Sequence, residues 1–242
     1  MKITYIGHSG FCVETKEYAC IFDYYEGEIP EIAVEKSIYY FVSHKHEDHY
    51  NPSIFETSVG RENVTYILPT DMKMNEKYLS RKNIPEQAWR RIIYIKKNDE
   101  LQVDGLRIHT LRSTDAGVAY IVEFSESGTK KRIYHAGDLN WWSWRGESKS
   151  EGDKMKQDYL HEIDQIKGET FDVAFVVLDP RQEDRYDWGF HAFMERTNPK
   201  QVVPMHCFED YTIIDRLLGE EKAKYYVDRV VKIKQRGEQW EV

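Results

Sequence analysis

The chain has 242 residues, of which 40% are hydrophobic, and its formal net charge at pH 7 is −8. A chain of this length and composition can bury a substantial core, and α/β folds of this size are commonly single domains. The acidic balance provides no overall basic face for phosphate backbones, so a nucleic-acid substrate is disfavoured.

Short apolar strands alternate with helical stretches along the sequence. Strands are predicted at Ile3 to Ile6, Phe11 to Glu14, Cys20 to Asp23, Ile38 to Val42, Thr65 to Leu68, Arg91 to Ile95, Leu106 to Leu111, Ala119 to Phe124, Arg132 to His135, Val173 to Leu178, Gln201 to Pro204 and Asp228 to Ile233. Helices are predicted at Ser53 to Thr57, Met72 to Arg81, Lys154 to Ile166, Phe190 to Arg196 and Asp210 to Leu218. Hairpins come first and strand–helix units later, without a linker or repeat, which predicts one domain over residues 1–242.

Three features of the sequence bear on its location in the cell. Met1 leads directly into a predicted strand rather than into a charged leader and an apolar run. No apolar run approaches the ~20 residues that cross a bilayer. The three cysteines, Cys12, Cys20 and Cys207, are too few, and odd in number, for a disulfide scaffold. We therefore expect a cytoplasmic protein that does not engage a membrane, and leave its oligomeric state open.

Metal-capable side chains are concentrated in the run Ser43-His44-Lys45-His46-Glu47-Asp48-His49, directly after the predicted strand Ile38 to Val42. A single histidine in a loop is usually solvated, but three histidines and an aspartate within six positions are hard to explain in that way. Imidazoles together with a carboxylate bind a borderline metal such as zinc. The run therefore predicts a metal site at the end of a buried strand.

This run resembles the His-x-His-x-Asp-His signature of the metallo-β-lactamase superfamily. Two later strand ends resemble further ligand stations of that superfamily: one ends in Gly137-Asp138 and the other in Met205-His206. The resemblance covers nearly the whole chain. It implies an α/β fold, the four-layer αββα sandwich, with metal at one edge of the two sheets. It also implies that His44, His46, Asp48, His49, Asp138 and His206 are metal ligands, with Asp138 bridging two metals.

One station of the superfamily is missing from this sequence. A histidine is expected between the first motif and the Gly-Asp strand, where the chain reads Ser113-Thr114-Asp115-Ala116-Gly117. Asp115 is the substitute ligand that we predict, since a carboxylate can replace an imidazole on zinc and suits iron or manganese better. The alternative for Asp115 is ordinary turn chemistry beside a glycine. We expect one secure metal ion and a second that depends on Asp115, with zinc first and iron or manganese as alternatives.

The resemblance implies hydrolysis by a metal-bound hydroxide, with Asp48 holding or deprotonating the water. The opening Gly7-His8-Ser9-Gly10-Phe11 is similar to the hairpin of the ascorbate-6-phosphate lactonase-like branch, in which such a turn lies near the metal cleft. A small-molecule substrate follows, namely a small ester, a lactone or a phosphorylated metabolite. His191 is predicted to be catalytic, on the basis of a similar segment in lactonase-like sequences.

Other functions stay open at this point, because this fold serves several chemistries. A phosphodiesterase or ribonuclease is the nearest alternative. A mononuclear iron dioxygenase and a degenerate member that only binds metal are the others. The tryptophans Trp141, Trp142 and Trp144 follow Asp138 closely, so some of them are predicted to pack in the core and the rest to wall the cleft.

Overall fold

A computed structural model describes residues 1–242. It contains thirteen strands and five α-helices, connected by short turns and 3-10 helices. The strands are β1 Lys2–Gly7, β2 Gly10–Glu14, β3 Tyr18–Phe22, β4 Ser37–Phe41, β5 Val64–Pro69, β6 Ile92–Ile95, β7 Glu100–Val103, β8 Leu106–Arg112, β9 Val118–Glu126, β10 Thr129–His135, β11 Thr170–Val177, β12 Asn198–Met205 and β13 Gln239–Glu241. The helices are α1 Glu76–Arg81, α2 Glu86–Trp89, α3 Lys149–Asp164, α4 Trp188–Arg196 and α5 Thr212–Gly219.

The strands form two sheets whose orders follow the chain. The first sheet runs β13-β1-β2-β3-β4-β5-β6, and the second runs β12-β11-β10-β9-β8-β7. Strands β3 to β6 run parallel to one another, as do β10 to β12, and all other pairs are antiparallel. The carboxyl ends of the parallel strands therefore lie at one edge of each sheet, where ligands usually bind in α/β proteins.

The sheets pack face to face and helices cover their outer faces. Residues of β3 alternate, with Cys20 and Phe22 in the larger core between the sheets and Ala19 and Ile21 in a smaller core outside the first sheet. Phe11 of β2 stacks on Phe175 of β11 at 4.0 Å between ring centroids, which joins the two sheets directly. The predicted four-layer αββα sandwich is confirmed.

Helices bury their apolar residues on both outer faces. On the first sheet, Leu79 of α1 and Ala88 of α2 belong to the smaller core. On the second sheet, Ile163 of α3, Phe193 of α4 and Ile214 of α5 belong to the larger core. Each helix thus covers a sheet face that would otherwise expose apolar side chains. None of the helices combines the length and apolar character needed to cross a membrane.

Several predicted elements differ from the structure in kind or in extent. The segment Asp228 to Ile233 is not a strand: it forms only the isolated bridge between Val230 and Val202, and the last strand is instead β13, paired with β1. The predicted helix Met72 to Arg81 is shorter, because Asn75 caps α1 by accepting a hydrogen bond from the Tyr78 N–H. The short strand β7 carries no apolar run in the sequence and was not predicted.

Candidate metal centre

The loop after β4 carries four of the predicted ligands and is fixed by a buried carboxylate. Asp23 follows β3 and accepts hydrogen bonds from both the N–H and the hydroxyl of Ser43, each at 2.6 Å. The hydroxyl of Ser43 in turn lies 2.9 Å from Nδ1 of His44. Because that hydroxyl donates to Asp23, it accepts from His44, which places the His44 proton on Nδ1 and leaves Nε2 as an acceptor, 2.9 Å from Nδ1 of His46.

Asp138 reaches this loop through a tight turn after β10. Gly137 has φ of +51°, and a Cβ at that position would lie 2.5 Å from the Cβ of Ser43. Only glycine combines this backbone conformation with so close an approach. The turn therefore brings Asp138 from the second sheet against the histidines of the first.

Asp138 lies between two groups of possible ligands. Its Oδ1 is 3.1 Å from Nε2 of His49 and 3.4 Å from Nε2 of His206, and its Oδ2 is 3.3 Å from Nε2 of His44. The inner group is His8, Asp48, His49 and His206, and the outer group is His44, His46 and Asp138. Within each group the ligand atoms lie within 4.8 Å of one another. Asp138 thus has one oxygen toward each group.

Several of these atoms are buried without a hydrogen-bond partner. They are Nε2 of His8, His49 and His206 and Oδ1 of Asp138. Nε2 of His49 is close to Oδ1 of Asp138, yet the two do not meet with hydrogen-bond geometry. Buried polar atoms normally have hydrogen-bond partners, so four buried atoms without one in the same place require an explanation. Imidazole and carboxylate donors in this arrangement fit a divalent metal ion.

Two further carboxylates, which belong to neither group, orient two histidines of the inner group. Asp23 lies 2.8 Å from Nδ1 of His49, and Asp179, at the end of β11, lies 3.1 Å from Nδ1 of His206. Such contacts fix the ring orientation and the tautomer of a metal-binding histidine. Neither Asp23 nor Asp179 was predicted to be functional, although each stands where a predicted apolar strand ends.

Electrostatics in the centre differ between its histidines: burial alone would lower the pKa of His49, but the neighbouring carboxylates outweigh burial and raise that pKa well above its ordinary value. Burial lowers the pKa of both His8 and His44 to about 4, so each offers a lone pair at neutral pH. Burial alone would raise the pKa of the Asp138 carboxyl, but His49 and His206 outweigh it and hold that pKa far below its usual range. The His8 imidazole, 3.6 Å away, is the main cause that lowers the pKa of Asp48. His8 and His44 can therefore bind a metal directly, whereas His49 must first release its proton.

The backbone at three of these positions is in the left-handed region. His8 has φ of +52°, Asp23 of +41° and His206 of +67°. The N–H of His206 donates to the carbonyl of His8 at 3.3 Å, which ties two of these residues together. Non-glycine residues in this region carry strain that usually persists at functional sites.

The remaining predicted residues are placed less centrally. Oδ2 of Asp115 lies 3.8 Å from Nδ1 of His46, and both side chains are about half exposed, at 50% and 47%. His191 lies in α4 and contacts Asp187 and Tyr226 rather than any predicted ligand. The structure therefore brings six predicted ligands together, leaves Asp115 at their rim and places His191 elsewhere. His8, which the sequence put near the cleft, joins the inner group.

The centre opens into a cavity of about 310 Å³, which we call the metal cleft. Trp142, Trp144, Met155 and Arg181 line it beside the predicted ligands. Trp142 is buried and packs edge-on against His206 at 5.7 Å, while Trp144 stacks on Trp142 at 5.9 Å. An aromatic wall with one cation therefore faces the metal-binding atoms.

The sequence matches a known protein family. The profile of a family described as a beta-lactamase superfamily domain matches residues 2–143, more than half of the chain. A search of curated protein sequences finds no significant match.

Solved structures share the architecture. Igni18, a metallo hydrolase from the archaeon Ignicoccus hospitalis, superposes with a TM-score of 0.61 over 100% of this chain and 98% of its own, at 16% identity. Isothiocyanate hydrolase from Delia radicum gut bacteria gives 0.58 over 100% and 99%, at 14% identity. CmlA, a diiron beta-hydroxylase from Streptomyces venezuelae, gives 0.53 over 85% of this chain and 44% of its own, at 13% identity. At these identities the likeness establishes the fold. With the matched profile and the sandwich architecture together, the chain belongs to the metallo-β-lactamase superfamily.

Proposed function

We propose that the protein is a metal-dependent hydrolase, with zinc as its metal, that acts on a small ester, lactone or phosphorylated metabolite. The observation that carries the proposal is the convergence of buried, unpartnered donor atoms from His8, His49, His206 and Asp138. The inner group would hold one ion and the outer group a second, with Asp138 between them. A bound divalent metal supplies Lewis acidity, which makes water a competent nucleophile at neutral pH.

Asp48 is the residue placed to orient water in this reaction. Its Oδ2 lies 3.6 Å from Nε2 of His8 and 3.9 Å from Nε2 of His206, and the side chain is 38% exposed toward the cleft. The lowered pKa keeps its carboxylate ionised, so Asp48 can accept a hydrogen bond from a water and hold that water in position. No serine or cysteine nucleophile is needed.

Arg181 is the residue placed to recognise an anionic substrate. Asp179 holds one side of the guanidinium through Nε and Nη2, while Nη1 forms no hydrogen bond within the chain. The guanidinium lies 4.0 Å above the ring of Phe208 and lines the cleft. A carboxylate or phosphate on the substrate can therefore bind Nη1 while Asp179 fixes the arginine.

The size and charge of the cleft favour small molecules. A volume of about 310 Å³ lies at the small end of ligand cavities. The net charge of −8 also disfavours a polyanion such as RNA, which leaves the phosphodiesterase or ribonuclease alternative weaker. The turn around His8, similar to that of the lactonase-like branch, supports an ester or lactone as the scissile group.

The test is removal and restoration of metal on a small substrate panel. We expect chelation to abolish hydrolysis of a p-nitrophenyl ester, a δ-lactone or bis(p-nitrophenyl) phosphate, and zinc to restore it. Asp48→Asn should remove most of the turnover, whereas Glu47→Gln, an exposed neighbour in the same loop, should leave it intact. Turnover that survives chelation would refute the proposal. A coloured, redox-active iron form that alone is active would favour the dioxygenase alternative, because imidazole and carboxylate ligands also suit iron.

A further inference from the structure

A second cavity, of about 610 Å³, lies on the other side of the tryptophan segment from the metal cleft. The two cavities share no lining residue. Trp142 and Trp144 face the metal cleft, while Trp141 and Ser143 face the second cavity. Successive residues of this segment therefore alternate between the two cavities, and the segment forms a partition between them.

The second cavity contains a buried histidine with an unused nitrogen. His191 is 5% exposed, and its Nδ1 is hydrogen-bonded to the hydroxyl of Tyr226. Nε2 of His191 lies 2.9 Å from Oδ2 of Asp187 but without hydrogen-bond geometry, and it has no other partner. The nearby Asp187 carboxylate, which can only accept, favours the imidazole proton on Nε2, so the Tyr226 hydroxyl donates to Nδ1. Nε2 of His191 is thus a donor that a ligand can meet.

The aromatic residues of the cavity form a corner. Trp141 and Trp188 meet at 5.2 Å between centroids with an interplanar angle of 60°. Nε1 of Trp141 is a second buried donor without a partner. Trp188 is 36% exposed, a large fraction for a tryptophan on a helix that otherwise buries its apolar residues. A flat ring can pack against this corner.

The lining of the cavity has a small excess of positive charge. Its cations are Lys149, Lys156, Arg185 and Lys222, of which Lys156 lies over the Trp141 ring and Arg185 over the Trp188 ring. Among the lining carboxylates, Glu147 already accepts a hydrogen bond from the Trp144 N–H at 2.9 Å, and Glu195 lies 3.5 Å from Arg196. Asp153 is the third lining acid. Four cationic side chains against three carboxylates leave the lining positive, which favours an anionic ligand.

We propose that the second cavity is a binding site for a small organic anion with a flat ring, separate from the metal cleft. The ring packs on Trp188 and Trp141, the anionic group lies among the three lysines, and an acceptor atom of the ligand meets Nε2 of His191. Ser143 and Trp141 contact such a ligand directly, so its binding site shares a wall with the metal cleft.

Naphthalene-2-sulfonate is a suitable probe, because it combines a flat ring with a permanent anion and has no hydrolysable bond. Calorimetric titration of the purified protein with the probe should show saturable binding of one probe per chain. Trp188→Leu should weaken binding by about tenfold or more, the scale expected when an aromatic anchor is lost. Trp144→Leu is the matched control, since Trp144 is also 36% exposed but lines the metal cleft, and it should change the affinity less than about twofold.

Further variants test the lysines and His191 separately. Lys156→Gln and Lys222→Gln should each weaken binding of the probe several-fold. The uncharged naphthalene-2-sulfonamide should bind at least about tenfold more weakly than the sulfonate. His191→Gln, which retains an N–H donor, should bind better than His191→Ala. Circular dichroism confirms that each variant is folded. The proposal is overturned if the probe does not saturate, if Trp144→Leu rather than Trp188→Leu abolishes binding, or if the sulfonamide binds as well as the sulfonate.

Discussion

The inner and outer groups of the metal centre use the same kinds of side chain but differ in how those side chains are held. His49 and His206 are almost fully buried, and each is oriented by a carboxylate of its own. In the outer group, His46 is 47% exposed, and its only carboxylate neighbour besides Asp138 is the half-exposed Asp115. Ligands fixed in advance lose less conformational entropy when a metal binds. We therefore expect the inner group to bind metal more tightly.

Asp138 joins the two groups, so its removal tests whether they depend on each other. Asp138→Ala should lose both ions and reduce turnover on the order of 10³-fold, because the residue supplies a ligand atom to each side. Elemental analysis and steady-state kinetics measure the two effects. Retention of a full complement of metal would show that Asp138 does not bridge the groups.

His49→Ala removes a ligand from the inner group alone. We expect the inner ion to be lost and the activity with it, while the outer group still takes up metal at raised concentration. Competition with a chromophoric chelator resolves the two affinities. Equal weakening of both sites would contradict the division into two groups.

Asp23→Asn tests the orientation of the ligands, because it leaves every ligand in place. The carboxylate orients His49 directly and His44 through Ser43, so its loss should weaken metal binding by about 10- to 100-fold. The same chelator competition provides the measurement. An unchanged affinity would mean that the strand ends alone set the ring orientations.

Asp115→Ala is the corresponding change at the exposed rim. If Asp115 replaces the histidine that the sequence lacks, the variant should lose only the outer ion and keep the inner one. Two ions per chain in this variant, counted by elemental analysis, would assign Asp115 to turn chemistry instead.

Asp172→Asn should have the smallest effect on metal, because Asp172 binds Lys200 and the Arg132 N–H far along the sheet from the ligands. Burial would raise its pKa, but these hydrogen bonds outweigh burial and lower it. The carboxylate therefore stabilises the fold above its ordinary pKa of about 4, and this contribution is lost as the pH falls through the lower folded value. Urea unfolding of chelated protein should show a loss of about 1 kcal/mol at pH 7 and a smaller loss near pH 3. A loss that does not shrink at low pH would argue against the ionised carboxylate as its cause.

The sequence was sufficient for most of the strands and for the metal-rich loop after β4. Apolar runs of four to eight residues predict buried strands, and the histidines of that loop predict a metal site, whereas Asp138 and His206 were identified only through the resemblance to the superfamily. The start of α3 was also readable: Ser148 and Glu151 form a capping box, which places the helix five residues before its predicted start. The prediction started at Lys154 because the preceding residues are polar.

Contacts between distant segments were not predictable in this way. Nothing in the local pattern links Asp23 to His49 or Asp179 to His206, since each pair is brought together by strand order and register. The same holds for β13, whose three residues form a strand only because β1 offers an open edge. Tertiary context decides such elements, whereas propensity decides the long apolar ones.

The partition between the two cavities restricts which changes in sequence length the chain can accept. Side chains from Trp141 to Trp144 alternate between the cavities, so a one-residue insertion or deletion there would exchange the sides that they face. Trp144 would then point away from the metal cleft and Ser143 toward it. Substitutions at these positions change one cavity at a time, but a change of length would remodel both. We therefore expect natural length variation in this region to fall in the exposed turn around Gly146, before α3 begins.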